Sequence, residues 1–379
     1  MSAFPFILVL LSLPLFTVPP ANSQTLYIAS EELSKEKDNH SSTHLKNTNQ
    51  LFHPYYSAKE PGEQGTLPQT RQGTLDKNSE VMEDGTYFTI ETFEGKAQEI
   101  ITIELNSEQF DSYLILVSPD DKKIAENNDG GRGNNAKITV TLPMTGTYTI
   151  IVNTFEKETK GNYTLSLREG TKQELALAQA EELNQQAIQL YQEGKYQEAV
   201  PLAEQALEIR KNILGTEHID ISISLNNLAL LYRAMGRYEQ ALPLYQDALA
   251  MDKKLLGDSH PSVATSLNNL AGLYRAMGRY EQALPLYQEA LAMLKQLLGD
   301  SHPNVATSLN NLAGLYRAMG RYEQALPLYQ DALAMRKKLL GDSHPSVATS
   351  LNNLAGLYRA MGRYEQAGVG TRIPESLTR

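Results

Sequence analysis

The sequence contains no cysteine. That excludes disulfides, thiolate metal sites, a cysteine nucleophile and a lipid-modified N-terminal cysteine, so stability has to come from packing. A basic surplus is missing too. There are 34 Lys and Arg against 44 Asp and Glu, for a net charge of −10. Residues 1–168 hold 22 of the acidic but only 14 of the basic side chains, which places the acidity in the front half. No basic face of the kind a nucleic-acid binder needs is visible. No P-loop, GxSxG, HExxH or CxxC occurs, and the chain reads as a non-enzyme without a cofactor. Beyond Ser23 no apolar run is long enough to span a bilayer. What is present, 379 residues of which 41% are hydrophobic, has room for two domains or for one domain and an array.

The stretch Leu225–Ser266, LNNLALLYRAMGRYEQALPLYQDALAMDKKLLGDSHPSVATS, returns almost unchanged at Leu267–Ser308 and at Leu309–Ser350, a period of 42 residues. A unit copied at such a period cannot bury its apolar face alone and implies one coil of a solenoid. Within a copy, Leu267, Leu270, Ala271 and Tyr274 mark one face of a first helix, A, that opens at Asp258-Ser259-His260-Pro261 and stops at Gly278. A second helix, B, runs from about Tyr280 to Leu298, with Ala283, Leu286, Tyr287 and Ala290 facing inward, Pro285 near its start and Gly299 as its stop. Glu182–Ser224 is a diverged copy. A fourth copy begins at Leu351 and breaks after Ala367 into GVGTRIPESLTR, leaving a helix A without its B. Either the sequence is part of a longer protein or this end docks a partner or a second copy.

Ahead of the repeats, Met1–Ser23 carries an apolar run from Phe4 to Phe16 and small residues up to Ser23. It predicts an export signal cleaved near Ser23, the alternative being an uncleaved anchor or a mis-assigned start. Residues 24–80 are polar and predict a disordered spacer, in which His40, His44 and His53 form no metal site. From 81 to 168 short β-rich runs separated by turns predict an antiparallel β-sandwich: Tyr87–Phe93, Ile100–Leu105, Tyr113–Val117, Lys137–Leu142, Thr147–Val152 and Tyr163–Leu167. Asp111, Asn127, Asn128, Asp129 and Asn134 could supply oxygen ligands for Ca²⁺ on its loops, or could sit there because Asn and Asp suit turns. The fold class expected is thus a small antiparallel β-sandwich (81–168) followed by an all-α solenoid of antiparallel helix pairs (173–367: four complete pairs plus a lone helix A) and an irregular tail (368–379).

Two resemblances sharpen this. The phrases FDSYLILVSPDDKKIAENNDG, ITVTLPMTGTYTIIV and GNYTLSL resemble the bacterial pre-peptidase C-terminal domain, a small β-sandwich of exported proteins. Gly278, Tyr280, Ala283, Tyr287 and Ala290, with GDSHPNVATS after them, resemble tetratricopeptide (TPR) repeats of the 42-residue kinesin-light-chain type. That likeness implies a groove lined by A helices that holds extended peptides. In it would stand Asn226, Arg233, Asn268, Arg275, Asn310, Arg317, Asn352 and Arg359, favouring an acidic segment. Gly272 and Gly314 would make room for the bound chain. Asn227, Asn269 and Asn311 are read as ties between neighbouring helices, and His260, His302 and His344 as caps. Proteins with this domain order often continue into a caspase-like CHAT peptidase domain, of which this sequence has none.

Three functions are consistent with these residues. The first is an exported, periplasmic or extracellular scaffold binding an acidic protein or peptide, with no nucleic acid and no membrane span once the signal is removed, and self-associating through its unfinished repeat. The second is the sensor or adaptor part of a longer CHAT-peptidase-like protein. The third is a Ca²⁺-dependent binder of extracellular polymers through the sandwich.

Overall fold

The computed structural model describes residues 8–10, 26–28, 67–82, 84–128, 135–364 and 366. Ser23, His40, His44, His53, Asp129, Asn134 and the tail 368–379 lie outside them. Two short strands, β1 (Leu8–Leu10) and β2 (Leu26–Ile28), pair in parallel, the first within the stretch read as an export signal. The chain divides into two compact units, built on Glu36–Glu182 and on Leu183–Arg379.

The first unit is a β-sandwich. Its strands are β3 (Gln69–Leu75), β4 (Glu80–Val81), β5 (Tyr87–Gly95), β6 (Ile100–Asn106), β7 (Ser112–Val117), β8 (Lys123–Asn127), β9 (Ala136–Thr141), β10 (Gly146–Thr154) and β11 (Gly161–Glu169). They form a five-stranded sheet ordered β4-β5-β10-β7-β8 and a four-stranded sheet ordered β3-β11-β6-β9, antiparallel throughout. Side chains alternate across each strand, so Ile101, Ile103 and Leu105 of β6 face Leu114 and Leu116 of β7 and Ile150 and Val152 of β10 in one buried cluster. Each such side chain contributes roughly 1.5–3 kcal/mol of burial. Tyr148 lies wholly inside, stacked on Phe93 at 5.4 Å between ring centres, and its hydroxyl donates to the Met144 carbonyl at 2.7 Å.

Strand β3 corrects the spacer expected over 24–80: Gln69–Leu75 pairs with β11 along its whole length. Its sequence, QTRQGTL, looks polar because it is an edge strand that sends only Leu75 fully into the core. Strand β8, also at a sheet edge, gives no strand signal for a related reason. KIAEN is half-buried throughout and carries no apolar alternation.

Nine helices follow among the described residues: α1 (Lys172–Gln192), α2 (Tyr196–Leu214), α3 (Ile219–Ala234), α4 (Tyr238–Leu256), α5 (Pro261–Ala276), α6 (Tyr280–Leu298), α7 (Pro303–Ala318), α8 (Tyr322–Leu340) and α9 (Pro345–Ala360). They make four A–B pairs and a last A helix. The turn inside each pair is dictated by glycine. Gly278 adopts φ 72°, its N–H bonds the Arg275 carbonyl at 3.0 Å, and the Arg279 N–H bonds the Tyr274 carbonyl at 2.8 Å. That is a Schellman closure, which needs a residue free to take the left-handed region. Ala271, Ala283 and Ala290 have no exposed surface, which lets the backbones approach where Tyr287 fills the gap.

Helix B starts at Tyr280 as expected, and Pro285 is its sixth residue, just past the first turn. There its missing N–H leaves the Glu281 carbonyl without a helical donor. Pro285 and Glu281 are both exposed, on the wet side of the helix, where a lost backbone bond costs least.

Candidate functional site

The A helices meet along a seam of amides. Asn227 donates from Nδ2 to Asn184 Oδ1 at 2.7 Å, Asn269 to Asn226 at 3.0 Å and Asn353 to Asn310 at 3.0 Å. The second asparagine of each copy therefore ties its helix to the preceding one at these three joints. Asn311 makes no such bond, because neither its Nδ2 nor its Oδ1 finds a partner.

The first asparagines are in the same seam, which corrects their expected place on an open face. Asn226, Asn268 and Asn310 are only 2, 6 and 6% exposed. Asn226 also donates to Ser266 Oγ at 3.2 Å, and Asn268 donates back to the Ala264 carbonyl at 2.9 Å. An amide spent on a neighbouring helix cannot also grip a bound backbone. Asn352, on the last A helix, is exposed.

The arginines are placed differently. Arg233 and Arg275 are half-buried, Arg317 and Arg359 exposed. The guanidinium of Arg275 lies across Gly314 of the next A helix, so close that a Cβ there would stand 2.6 Å from Nη1 and 3.5 Å from the Tyr329 hydroxyl oxygen. Arg317 lies across Gly356 in the same way, with Nη1 3.1 Å from such a Cβ. These glycines thus make room for the arginine of the preceding repeat, whereas Gly314 had been expected to make room for a bound partner. At the first joint the two positions hold Tyr191 and Leu230 instead, both buried in one apolar cluster.

Beneath the arginines run three buried tyrosines of the B helices. Burial pushes the Tyr245, Tyr287 and Tyr329 hydroxyls above the usual phenol range, and the nearby arginines pull each part of the way back. Among the described residues, no carboxylate lies within ion-pair distance of Arg275 or Arg317. Other basic side chains of the array are paired, Lys295 with Asp300 at 3.4 Å and Lys337 with Asp342 at 3.1 Å. Uncompensated guanidinium groups repeated along one face are suited to oxyanions.

One helix-B position is buried but not uniform. It carries Arg210, Asp252, Leu294 and Arg336 in successive copies, all at most 5% exposed. Asp252 accepts from Ser222 Oγ and Ser266 Oγ, each at 2.5 Å, and burial pushes its carboxyl up to about 6 against those two bonds. Arg336 donates to Ser350 Oγ at 2.7 Å and to the Ser346 carbonyl at 3.1 Å.

Of the sandwich residues considered for Ca²⁺, Asp111, Asn127 and Asn128 are among the described residues. Asn127 Oδ1 is taken by the Lys137 N–H at 3.1 Å. Asp111 has a buried Oδ1 without a partner, and burial together with the Glu156 carboxylate pushes it up to about 6. No group of three His, Asp or Glu that could hold a metal occurs among the described residues. Nor is any helix there long and apolar enough to cross a membrane.

The tetratricopeptide repeat family model matches four overlapping windows, 177–254, 220–296, 262–338 and 304–367, together half of the chain. The chain belongs to the tetratricopeptide repeat family. Ahead of its TPR array, residues 89–154 match the bacterial pre-peptidase C-terminal domain. Among solved structures, the TPR chain is similar to a Podosopora anserina kinesin light chain protein of nearly identical TPR-like repeats: 31% identity over 52% of this chain and 92% of that one, TM-score 0.44. It is also similar to BtubC (BKLC) from P. vanneervenii, at 25% identity over 55% of this chain and 92% of that one, TM-score 0.43. A Rap protein complexed with Competence and Sporulation Factor aligns at 17% identity over 52% of this chain and 54% of that one, TM-score 0.45. No curated protein matches.

Proposed function

We propose that this TPR chain is an exported scaffold whose array binds extended, acidic peptide segments along the face marked by Arg233, Arg275, Arg317 and Arg359. TPR repeats serve protein–protein interaction, and the chain's membership in that family supports the general role. The acidic preference rests on one observation: Arg275 and Arg317 are held in place by glycine and tyrosine contacts while no carboxylate among the described residues neutralises them. An acidic side chain of a partner would supply the missing charge, and each good guanidinium–carboxylate contact contributes roughly 1.5–3 kcal/mol. The buried asparagines are left out of the contact set, with Asn352 as the exception. Export rests on the composition of Met1–Ser23, and self-association on the last A helix, where Leu351 and Asn352 are more exposed than Leu309 and Asn310 at the matching positions.

The test is the double reversal Arg275→Glu with Arg317→Glu, assayed for binding to a library of extended peptides graded in Asp and Glu content. Acidic peptides should lose at least tenfold in affinity while neutral ones change little, with the circular dichroism spectrum unaltered. Equal binding of acidic peptides by both proteins would remove the proposal.

A further inference from the structure

Every complete A helix after the first begins on a histidine. The N-terminal residues of α5, α7 and α9 are preceded by His260, His302 and His344, each extended at its own ψ of 139–145°. In each, Nδ1 accepts the backbone N–H two residues on, from Ser262, Asn304 and Ser346, at 3.1 Å. An N-cap has to accept, because the first turn of a helix presents amide donors without partners. Imidazole accepts only at its unprotonated nitrogen, so these rings are neutral with the proton on Nε2. An imidazolium there would turn a donor toward a donor and set a positive charge at the positive end of the helix dipole.

From this geometry we propose that the array is built to loosen in acid: protonation of His260, His302 and His344 removes the caps of three successive A helices together. Those helices carry Arg275, Arg317 and Arg359, so the face on which a peptide would sit is the part that softens. The proposal stands without peptide binding, since it concerns only how the helices start.

The surroundings oppose protonation. Burial alone lowers the affinity of His260 and His302 for a proton, and at His344 the Arg336 guanidinium of α8 adds repulsion. The loop acids two residues upstream offer little compensation. Asp258 is exposed, and Asp300 and Asp342 are held by Lys295 and Lys337 of the preceding B helices. His218, which caps α3, is set apart: its Nδ1 also lies 3.4 Å from the Asp220 carboxylate, and its neighbour Glu217 pairs with Lys254 of α4.

For a histidine whose folded form resists protonation, stability is complete above the ordinary value of 6.5 and falls as pH drops below it. The experiment is thermal unfolding of the full chain by circular dichroism at pH 7.5 and 5.5, for the native protein, for H260N/H302N/H344N and for the matching alanine triple. Asparagine caps a helix without titrating. The native midpoint should fall by about 6–12 °C more than that of the asparagine triple, the size expected for three caps in an array of this length. The alanine triple should show the same deficit already at pH 7.5 and no further loss from these sites. Imidazole ¹⁵N spectra should show three Nε2–H tautomers at pH 7.5. Equal acid losses in the native and asparagine proteins, or Nδ1–H tautomers at these positions, would overturn the proposal. Asp252 is common to all three proteins, so its opposite response cancels in the comparison.

Discussion

Asp252 is the position where a single substitution should stabilise this array most clearly. The carboxylate is 3% exposed and sits between two serines from successive A helices, Ser222 and Ser266, which donate to it at 2.5 Å each. Those bonds do not offset the loss of water, since the group is pushed from 3.8 up to about 6. A shift of that size corresponds to about 3 kcal/mol of differential interaction. The sign follows from linkage: the folded chain holds the proton more tightly than the unfolded one. The cost of the charge is therefore absent below pH 3.8, grows between 3.8 and about 6 and is constant above. Asp252→Asn keeps the shape, accepts from one serine and donates to the other. It should gain about 2–3 kcal/mol at pH 7, or about 4–12 °C in midpoint, and no more than about 0.5 kcal/mol at pH 4. Urea and thermal unfolding of the full chain from pH 4 to 8 would read this directly. An internal control exists. At the next joint Leu294 occupies the same place, and Ala264 stands where Ser222 stands here. The double change Asp252→Leu with Ser222→Ala transplants that joint and should abolish the pH dependence as well. If Asp252→Asn is no more stable at pH 7, or its gain survives at pH 4, the burial argument is wrong.

Gly314→Ala should separate stability from binding. Alanine is favoured over glycine inside a helix by about 1 kcal/mol, and what its Cβ meets is the far end of a flexible arginine. The array should be equally or slightly more stable by urea unfolding, while Arg275 moves and acidic-peptide affinity drops several-fold in titration calorimetry. Arg336→Leu should be neutral or stabilising by about 1–3 kcal/mol, because Leu294 shows that the site accepts leucine and a fully buried guanidinium is costly. Arg336→Ala should lose stability through the cavity instead. In the sandwich, Tyr148→Phe should cost about 1–2 kcal/mol by removing the hydroxyl that bonds both the Met144 carbonyl and its N–H, while leaving the ring stacked on Phe93.

The helices were legible because a repeated sequence states its own boundaries. Pro261, Gly278 and Gly299 mark the start of α5, the turn after it and the end of α6, and the structure has them in those roles. The central strands were legible from alternation, as in β11, whose Tyr163, Leu165 and Leu167 are buried while Thr164 and Ser166 are half-exposed. The edge strands β3 and β8 were not, though the edge strand β9 was, since a strand with one neighbour and one wet side can hold with few apolar residues. The candidate site was legible as a set of recurring residue types but not in its geometry. Asn226 and Arg233 stand seven positions apart on one helix, which suggests a shared face. A slightly rotated helix still puts the short amide into the seam with its neighbour, while the longer arginine reaches beyond it. Nor could a helical wheel reveal that Gly314 serves Arg275, because the two are thirty-nine residues apart and meet only when the coils stack.

The differences among the copies carry the remaining argument. The three full copies differ at only five of 42 positions. Two of the five decide contacts between helices: Leu230, Gly272 and Gly314 beside the arginine face, and Asp252, Leu294 and Arg336 inside the joints. Residues that define the coil, such as Ala271, Ala283, Tyr287 and Ala290, do not vary among the full copies. The coil therefore tolerates leucine, carboxylate or guanidinium at one buried place without changing its path, because serine hydroxyls at the joint can donate to Asp252 or accept from Arg336. Hydroxyls able to serve either sign of charge let the strength of each joint differ while its geometry stays fixed. An array of this kind need not soften evenly: the joint at Leu294 should outlast those at Asp252 and Arg336 as pH or denaturant changes. Hydrogen exchange followed helix by helix would show this as slower exchange in α6 than in α4 or α8, and uniform protection across the three would refute it.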